Sequence, residues 1–205
     1  MGDIAADGTL RLVNRTHALG ADYVPGGLVF AAECGVPVAD PAIRLEQRAC
    51  AALAALVRQA RAEGAGEIVL YSGYRSYEEQ KALHENKIRR LCRQGMPFRR
   101  ARAAACTVVA PPGASEHQLG FAADVTASAF LEMKDPLIEG FAETSQGAWL
   151  AEKAYETGFV IRYPAEKRES TGVCYEPWHL RYVGPVHARR MHRGRMCLEE
   201  YLYAC

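Results

Sequence analysis

Two short segments carry residue types that could do chemistry together: "SEHQLGFAADV" (Ser115–Val125) and "YEPWH" (Tyr175–His179). His117 and Asp124 stand seven positions apart with Gly120 between them. As a straight strand those seven residues would span roughly 23 Å at about 3.3 Å each. On a helix the pair would share a face roughly 10 Å apart along the axis. A zinc ion needs nitrogen and oxygen donors at about 2.0–2.2 Å, so neither regular form lets the pair share one ion. A chain that turns back between them does, and Gly120 is where a turn with positive φ costs least.

Zinc hydrolases use three protein ligands and keep the fourth position for water. The second segment supplies a third ligand, His179, and a candidate base, Glu176, with Pro177 favouring a bend between them. Two histidines and one aspartate leave a divalent ion with net positive charge, which can polarise a carbonyl and lower the pKa of water to about 7. Each half alone is a weak signal. The two halves in one chain, each in its serine, glycine and aromatic context, make a coherent metal-assisted hydrolytic site.

The elements that must position these residues can be read from periodicity and punctuation. Residues 1–40, with "YVPGG" and "CGVPVADP", are rich in glycine and proline and are expected to wrap the rest irregularly. Asp40-Pro41 reads as a helix start, followed by an apolar stripe of Leu45, Ala49, Leu53, Leu56, Val57 and Ala60 ending near Gly64. "EIVLYSGY" (Glu67–Tyr74) reads as a buried strand, and Ser76 with Glu79 as a capping box opening the next helix. After an Arg/Ala-rich helix, Pro111, Pro112 and Gly113 bar regular structure until "FAADV" resumes as a strand. Residues 128–144 read as a loop with local turns, "GAWLAEKAYETG" as a helix stopped by Gly158, and "FVIRY" as a strand. "REST" and "TGVC" form a polar connection to the strand "YEPWHLRYV", and a basic helix, "PVHARRMHRG", follows. Trp178 alternates with His179 and so faces the core. The sum is an α+β fold: a small, largely antiparallel sheet with flanking helices in a single domain covering residues 1–205.

Composition limits the rest. The chain has 205 residues, a formal charge of +1, 49% apolar and 24% charged residues, which describes a globular protein. No net field calls for nucleic acid or an anionic membrane. The arginines of Ile88–Arg102 read as the solvated face of a helix pair. No apolar run of 18 or more residues exists, and the N-terminus lacks the apolar core of a secretion signal. Such a chain works inside the cell, or faces the cell wall if an export segment has been lost. None of the seven cysteines falls in a C-x-x-C pair; Cys50, Cys92 and Cys106 read as packing residues, and Cys34, Cys174, Cys197 and Cys205 are unassigned. His17, His84, His187 and His192 lie outside the two segments and read as exposed or capping.

The segments "SGYRSYEEQ", "SEHQLGFAADV", "GFVIRYP" and "YEPWHLRYVG" resemble the zinc D-alanyl-D-alanine carboxypeptidases of vancomycin-resistance type. That group also holds D,D-dipeptidases, L,D-carboxypeptidases and the hedgehog amino-terminal domain, and the resemblance runs from about Leu12 to Tyr201. It implies a hedgehog/D,D-peptidase-like fold, one catalytic Zn2+ held by His117, Asp124 and His179, and Glu176 as general base. It implies that Arg75 meets the substrate's anionic end or the developing oxyanion, for which a planar guanidinium is suited. Gln80, one turn into the helix that Ser76 caps, shares that cleft, and Ser115 hydrogen-bonds the substrate backbone. Tyr163 holds the place of a substrate-contacting tyrosine in related L,D enzymes. The implied partner is a peptidoglycan stem peptide ending in D-Ala, bound by a monomer or weak dimer. The same motifs serve an L,D-carboxypeptidase, a D,D-dipeptidase or a non-catalytic zinc-containing binding module. Residues 128–144 and 165–174 are expected to line the pocket that decides among the enzymes.

Overall fold

Alternation along three strands builds the fold, because each sends one set of side chains to an apolar core and the other set to a polar face. The computed structural model describes residues 8–204, so the first seven residues of the expected wrapping segment and Cys205 lie outside it. A four-stranded sheet runs in the order β3-β4-β6-β5, with β3 at Ile68–Ser72, β4 at Ala122–Ala127, β5 at Phe159–Tyr163 and β6 at Glu176–Tyr182. Every pairing in it is antiparallel. β1 (Leu28–Phe30) and β2 (Arg44–Glu46) form a separate antiparallel pair.

The sheet's core face presents Leu70, Ala123, Val125, Phe159 and Leu180 to α1 (Gln47–Ala62), whose Leu53, Leu56 and Ala60 are fully buried. Trp178 packs against this same core, as its alternation with His179 requires. Asp124, Arg162, His179 and Arg181 on the same strands are buried as well. A smaller apolar cluster, including Leu10, Val183, Met191 and Tyr201, joins the start of the described chain to α6 (Pro185–Gly194) and α7 (Leu198–Ala204).

Two expectations are corrected. Asp40-Pro41 does not start the first helix. Asp40 Oδ1 accepts from Ala42 N at 2.8 Å and its carbonyl accepts from Ile43 N, which makes a tight turn. The next residues are used as strand β2, and Glu46 caps α1 by accepting from the backbone N–H groups of Arg48 and Ala49 at 2.8 and 3.3 Å. Leu45 therefore belongs to a strand and not to the helical stripe. "REST" is not a plain connection: it is a single helical turn, α5 (Arg168–Thr171), closed by Gly172 in the left-handed region. Residues 128–144 are irregular apart from two 3-10 turns, at Ser128–Phe130 and Glu139–Glu143, before α4 (Ser145–Lys153).

α2 (Tyr77–Arg93) and α3 (Phe98–Val108) form a helical hairpin. Its buried side chains are few: Gln80 and His84 on α2, Ala101 and Ala105 on α3. Most arginines of Ile88–Arg102 are exposed, as a solvated face should be. Cys50 is buried in α1, Cys92 and Cys106 are half-buried on the hairpin, and all six described cysteines are free. No helix among the described residues is long and apolar enough to cross a membrane.

The hairpin enters through a complete capping box. Ser76 Oγ accepts from Glu79 N at 3.2 Å and Glu79 Oε2 accepts from Ser76 N at 2.7 Å. Replacing Ser76 by Ala should cost about 0.5–2 kcal/mol, read as a lower urea midpoint at unchanged slope. A midpoint equal to the parent's would show that the cap does not limit global stability.

Candidate metal centre

Strand register makes the first contact of the site. Asp124 on β4 sits directly opposite His179 on β6, and His179 Nδ1 lies 2.9 Å from Asp124 Oδ1. The third member arrives through the turn that Gly120 makes possible. A 3-10 turn at Glu116–Leu119 ends at Gly120, whose φ of 76° is in the left-handed region. A Cβ there would also come within 3.2 Å of Glu46 N and Leu28 Cδ2, and the Gly120 carbonyl accepts from Glu46 N at 2.9 Å. The reversal carries His117 back over β4, with Nε2 3.1 Å from Asp124 Oδ2 and its ring edge-on to His179 at 5.0 Å.

One donor atom from each of His117, Asp124 and His179 lies within 4.8 Å of the others, and all three residues are buried. Tetrahedral bonds of about 2.0–2.2 Å would set such donors roughly 3.4 Å apart, so the set fits a single small cation. Its chemistry fits too, since imidazole and carboxylate donors suit zinc. His117 Nδ1 donates to the Gly73 carbonyl at 2.7 Å, which holds the ring with Nε2 turned inward. Gly73 itself can be nothing larger without movement: a Cβ there would stand 2.4 Å from the Arg44 carbonyl oxygen.

Glu176 borders this cluster, with Oε2 3.8 Å from His179 Nδ1. Burial pushes its carboxyl up to about 7; Asp124 and Glu116 add to the rise, while His179 and Arg75 oppose it. Burial would favour a neutral His179 as well, but the Asp124 and Glu116 carboxylates outweigh it and push the imidazole up to about 10. Asp124 is held well below the usual carboxylate range, because His117 and His179 more than offset the effect of burial.

Arg75 reaches the cluster from the loop after β3. Its Nη2 is 4.0 Å from Asp124 Oδ2 and donates to Ser72 Oγ at 3.0 Å, while Nη1 donates to Gln80 Oε1 at 2.6 Å. Gln80 is buried and its Nε2 donates to the Ala110 carbonyl at 2.6 Å, so both ends of its amide are engaged. Ser115 is buried at the entry to the 3-10 turn that carries His117. Tyr163 stacks obliquely on His179 with ring centroids 4.9 Å apart, beyond an irregularity in the β5–β6 register between Ile161 and Tyr163. Arg75, Glu176 and Tyr163 thus adjoin the donor cluster directly, Gln80 adjoins it through Arg75, and Ser115 stands two residues before His117. The other histidines lie elsewhere: His17 bonds Asn14, His84 the Val109 carbonyl, His187 the Tyr201 hydroxyl, and His192 stacks on Tyr155.

Sequence reasoning missed a buried ion network beside the cluster. Arg162 Nε donates to Glu116 Oε1 at 2.8 Å, and its two Nη atoms donate to the carboxylate of Glu199 on α7 at 2.8 and 2.6 Å. Arg181 Nη1 forms an ion pair with the same Glu116 oxygen at 2.8 Å, and its Nη2 donates to the carbonyls of Thr9 and Arg11. The available signal was an arginine inside each of the apolar strands "FVIRY" and "HLRYV", one alternation from a core residue.

Solved structures of hedgehog-like peptidase folds superpose on this arrangement of sheet, turn and donor cluster. The LdcB LD-carboxypeptidase does so with a TM-score of 0.83 at 35% identity, over 96% of this chain and 86% of that one. VanY, a vancomycin-resistance D,D-pentapeptidase solved as a mutant with Zn(II), gives 0.76 at 37% identity over 95% and 98%. VanYB solved with D-alanine-D-alanine gives 0.77 at 36% identity over 95% and 97%. Residues 42–185 match the family described as "VanY: D-alanyl-D-alanine carboxypeptidase", and the chain belongs to that family. YodJ of Bacillus subtilis (strain 168) is 38% identical over 94% of this chain, and a D-alanyl-D-alanine carboxypeptidase of Enterococcus faecalis (strain ATCC 700802 / V583) is 37% identical over 95%. The chain spans 66% and 65% of those two relatives' lengths.

Arg162 is 1% exposed and holds two carboxylates out of water. Arg162→Met should destabilise the protein by about 3–5 kcal/mol, because both are left buried without that partner. Denaturant unfolding of the metal-free protein measures this, and a loss below about 1 kcal/mol would mean that water reaches the network.

Proposed function

We propose that the chain is a zinc-dependent D,D-carboxypeptidase that releases the terminal D-alanine from peptidoglycan stem peptides or their precursors. The observation that carries this reading is the convergence of His117, Asp124 and His179 with the Glu176 carboxylate on the same side of His179 as Asp124. A binding module needs the three donors but has no use for a fourth, unliganded acid beside them. Family membership and the zinc and D-alanine-D-alanine complexes of VanY proteins support the choice of metal and substrate.

His117, Asp124 and His179 would hold the ion, which supplies Lewis-acid polarisation of the scissile carbonyl and a lowered pKa for water. Glu176 takes the proton from the attacking water and passes it to the departing amine, so one carboxylate serves as base and then as acid. Arg75, pre-set by Gln80 and Ser72, offers its guanidinium fork to the substrate carboxylate or to the developing oxyanion. Gln80 thus acts on the substrate through Arg75, while Ser115 offers its hydroxyl to the peptide backbone. Tyr163 walls the cleft beside His179.

Glu176→Ala should keep one zinc per chain and lower kcat by about 10²–10⁴. Metal analysis beside turnover tests it, and full activity in that variant would remove Glu176 from the mechanism. A panel of D-Ala-D-Ala dipeptide, stem tetrapeptide and stem pentapeptide, scored for released D-alanine, tests the substrate. Release from the pentapeptide is expected. Release from the tetrapeptide alone would move the specificity to an L,D bond, release from the dipeptide alone would make the chain a dipeptidase, and zinc without hydrolysis would favour a binding module.

A further inference from the structure

His179 has two ring nitrogens and the structure gives each a separate environment. Nδ1 faces Asp124 and Glu176, at 2.9 and 3.8 Å. Nε2 faces away from them, 3.7 Å from Glu116 Oε2. Both of these outer atoms are fully buried, and neither has a hydrogen-bond partner among the described residues. A buried imidazole nitrogen and a buried carboxylate oxygen without partners are each costly, and here they face one another at 3.7 Å. The other oxygen of Glu116 is already taken, by Arg162 Nε and Arg181 Nη1, both at 2.8 Å. Oε2 is left for the imidazole.

We infer that Glu116 is a positioning residue for the metal centre: its Oε2 accepts the Nε2–H of His179, fixing the tautomer that offers Nδ1 to the ion. This rests on His117, Asp124 and His179 being the metal ligands. The two histidines are then held by different means. His117 donates its outer nitrogen to a neutral acceptor, the Gly73 carbonyl. His179 donates to an anionic one, which orients the ring and raises the basicity of the coordinating nitrogen. The carboxylate is anchored in turn, because Arg162, which grips Glu116, is itself gripped on both Nη atoms by Glu199 of α7. A chain of Glu199, Arg162, Glu116 and His179 thereby links the last helix to the metal site. The competing explanation gives Glu116 only the task of balancing two buried arginines. That task affects folding but not the affinity of the folded protein for metal.

Two measurements separate these explanations. In the wild-type protein loaded with zinc, side-chain ¹⁵N spectra should show His179 metal-bound through Nδ1 and protonated at Nε2; coordination through Nε2 would overturn the inference. This needs no variant, so it decides even if the substitution prevents folding. Chelator competition with zinc should then show Glu116→Gln weakened about 10- to 100-fold relative to wild type, with unfolding of the metal-free proteins followed in parallel. Unchanged zinc affinity beside reduced metal-free stability would leave Glu116 a charge-balancing role and overturn the inference. Wild-type protein that binds no zinc, or His117→Ala that binds it as wild type does, would overturn the ligand assignment itself, and the role of Glu116 with it.

Discussion

The cross-strand pair of Asp124 and His179 is the constraint from which the rest of the site follows. Two antiparallel strands put these residues opposite one another at 2.9 Å, and a slip of one residue in that register would send both to the apolar core. The core prevents the slip, since Ala123, Val125 and Leu180 are all fully buried against α1 and its neighbours. Hydrophobic burial on one face of the sheet thus sets the geometry of donor atoms on the other. His117, Arg75 and Glu176 are then placed relative to a pair that already exists.

A second constraint is electrostatic. Asp124, Glu116, Glu176, Arg75, Arg162 and Arg181 share a small volume with two imidazoles, and most of them are removed from water. Charge of this density is stable only when it alternates, and it does. Glu116 lies between two guanidiniums, Arg162 between two carboxylates, and Asp124 between two histidines. The arrangement leaves Glu176 with the least support. Its carboxyl is pushed up by burial and by neighbours of its own sign, which suits the proton-transfer role proposed for it.

The approach of His117 to Asp124 was legible in the sequence because their spacing excluded regular structure and required a turn at Gly120, whereas His179 and Glu176, both on β6, were picked out by residue type and by the family resemblance. The strands bearing Asp124 and His179 were legible for a related reason: "FAADV" and "YEPWHLRYV" alternate or run apolar between clear breakers. The start of α1 was not legible. Asp40-Pro41 is sound capping chemistry, yet pairing of Arg44–Glu46 with Leu28–Phe30 claims the residues that would have formed the first turn. Local preference lost to a contact distant in sequence. The buried ion network was hidden for the same reason. Arg162, Arg181, Glu116 and Glu199 come from four separate elements, and no local pattern reports that they meet.

The α2–α3 hairpin has a consequence of another kind. Gln80 ties it to Arg75 at the donor cluster, while the arginines of its outer surface are exposed. Selection can therefore lengthen, shorten or recharge this rim without disturbing strand register or donor geometry. A change of charge on this rim would thus leave the paired strands and their facing donors where they are, which makes the hairpin the part of the molecule freest to vary.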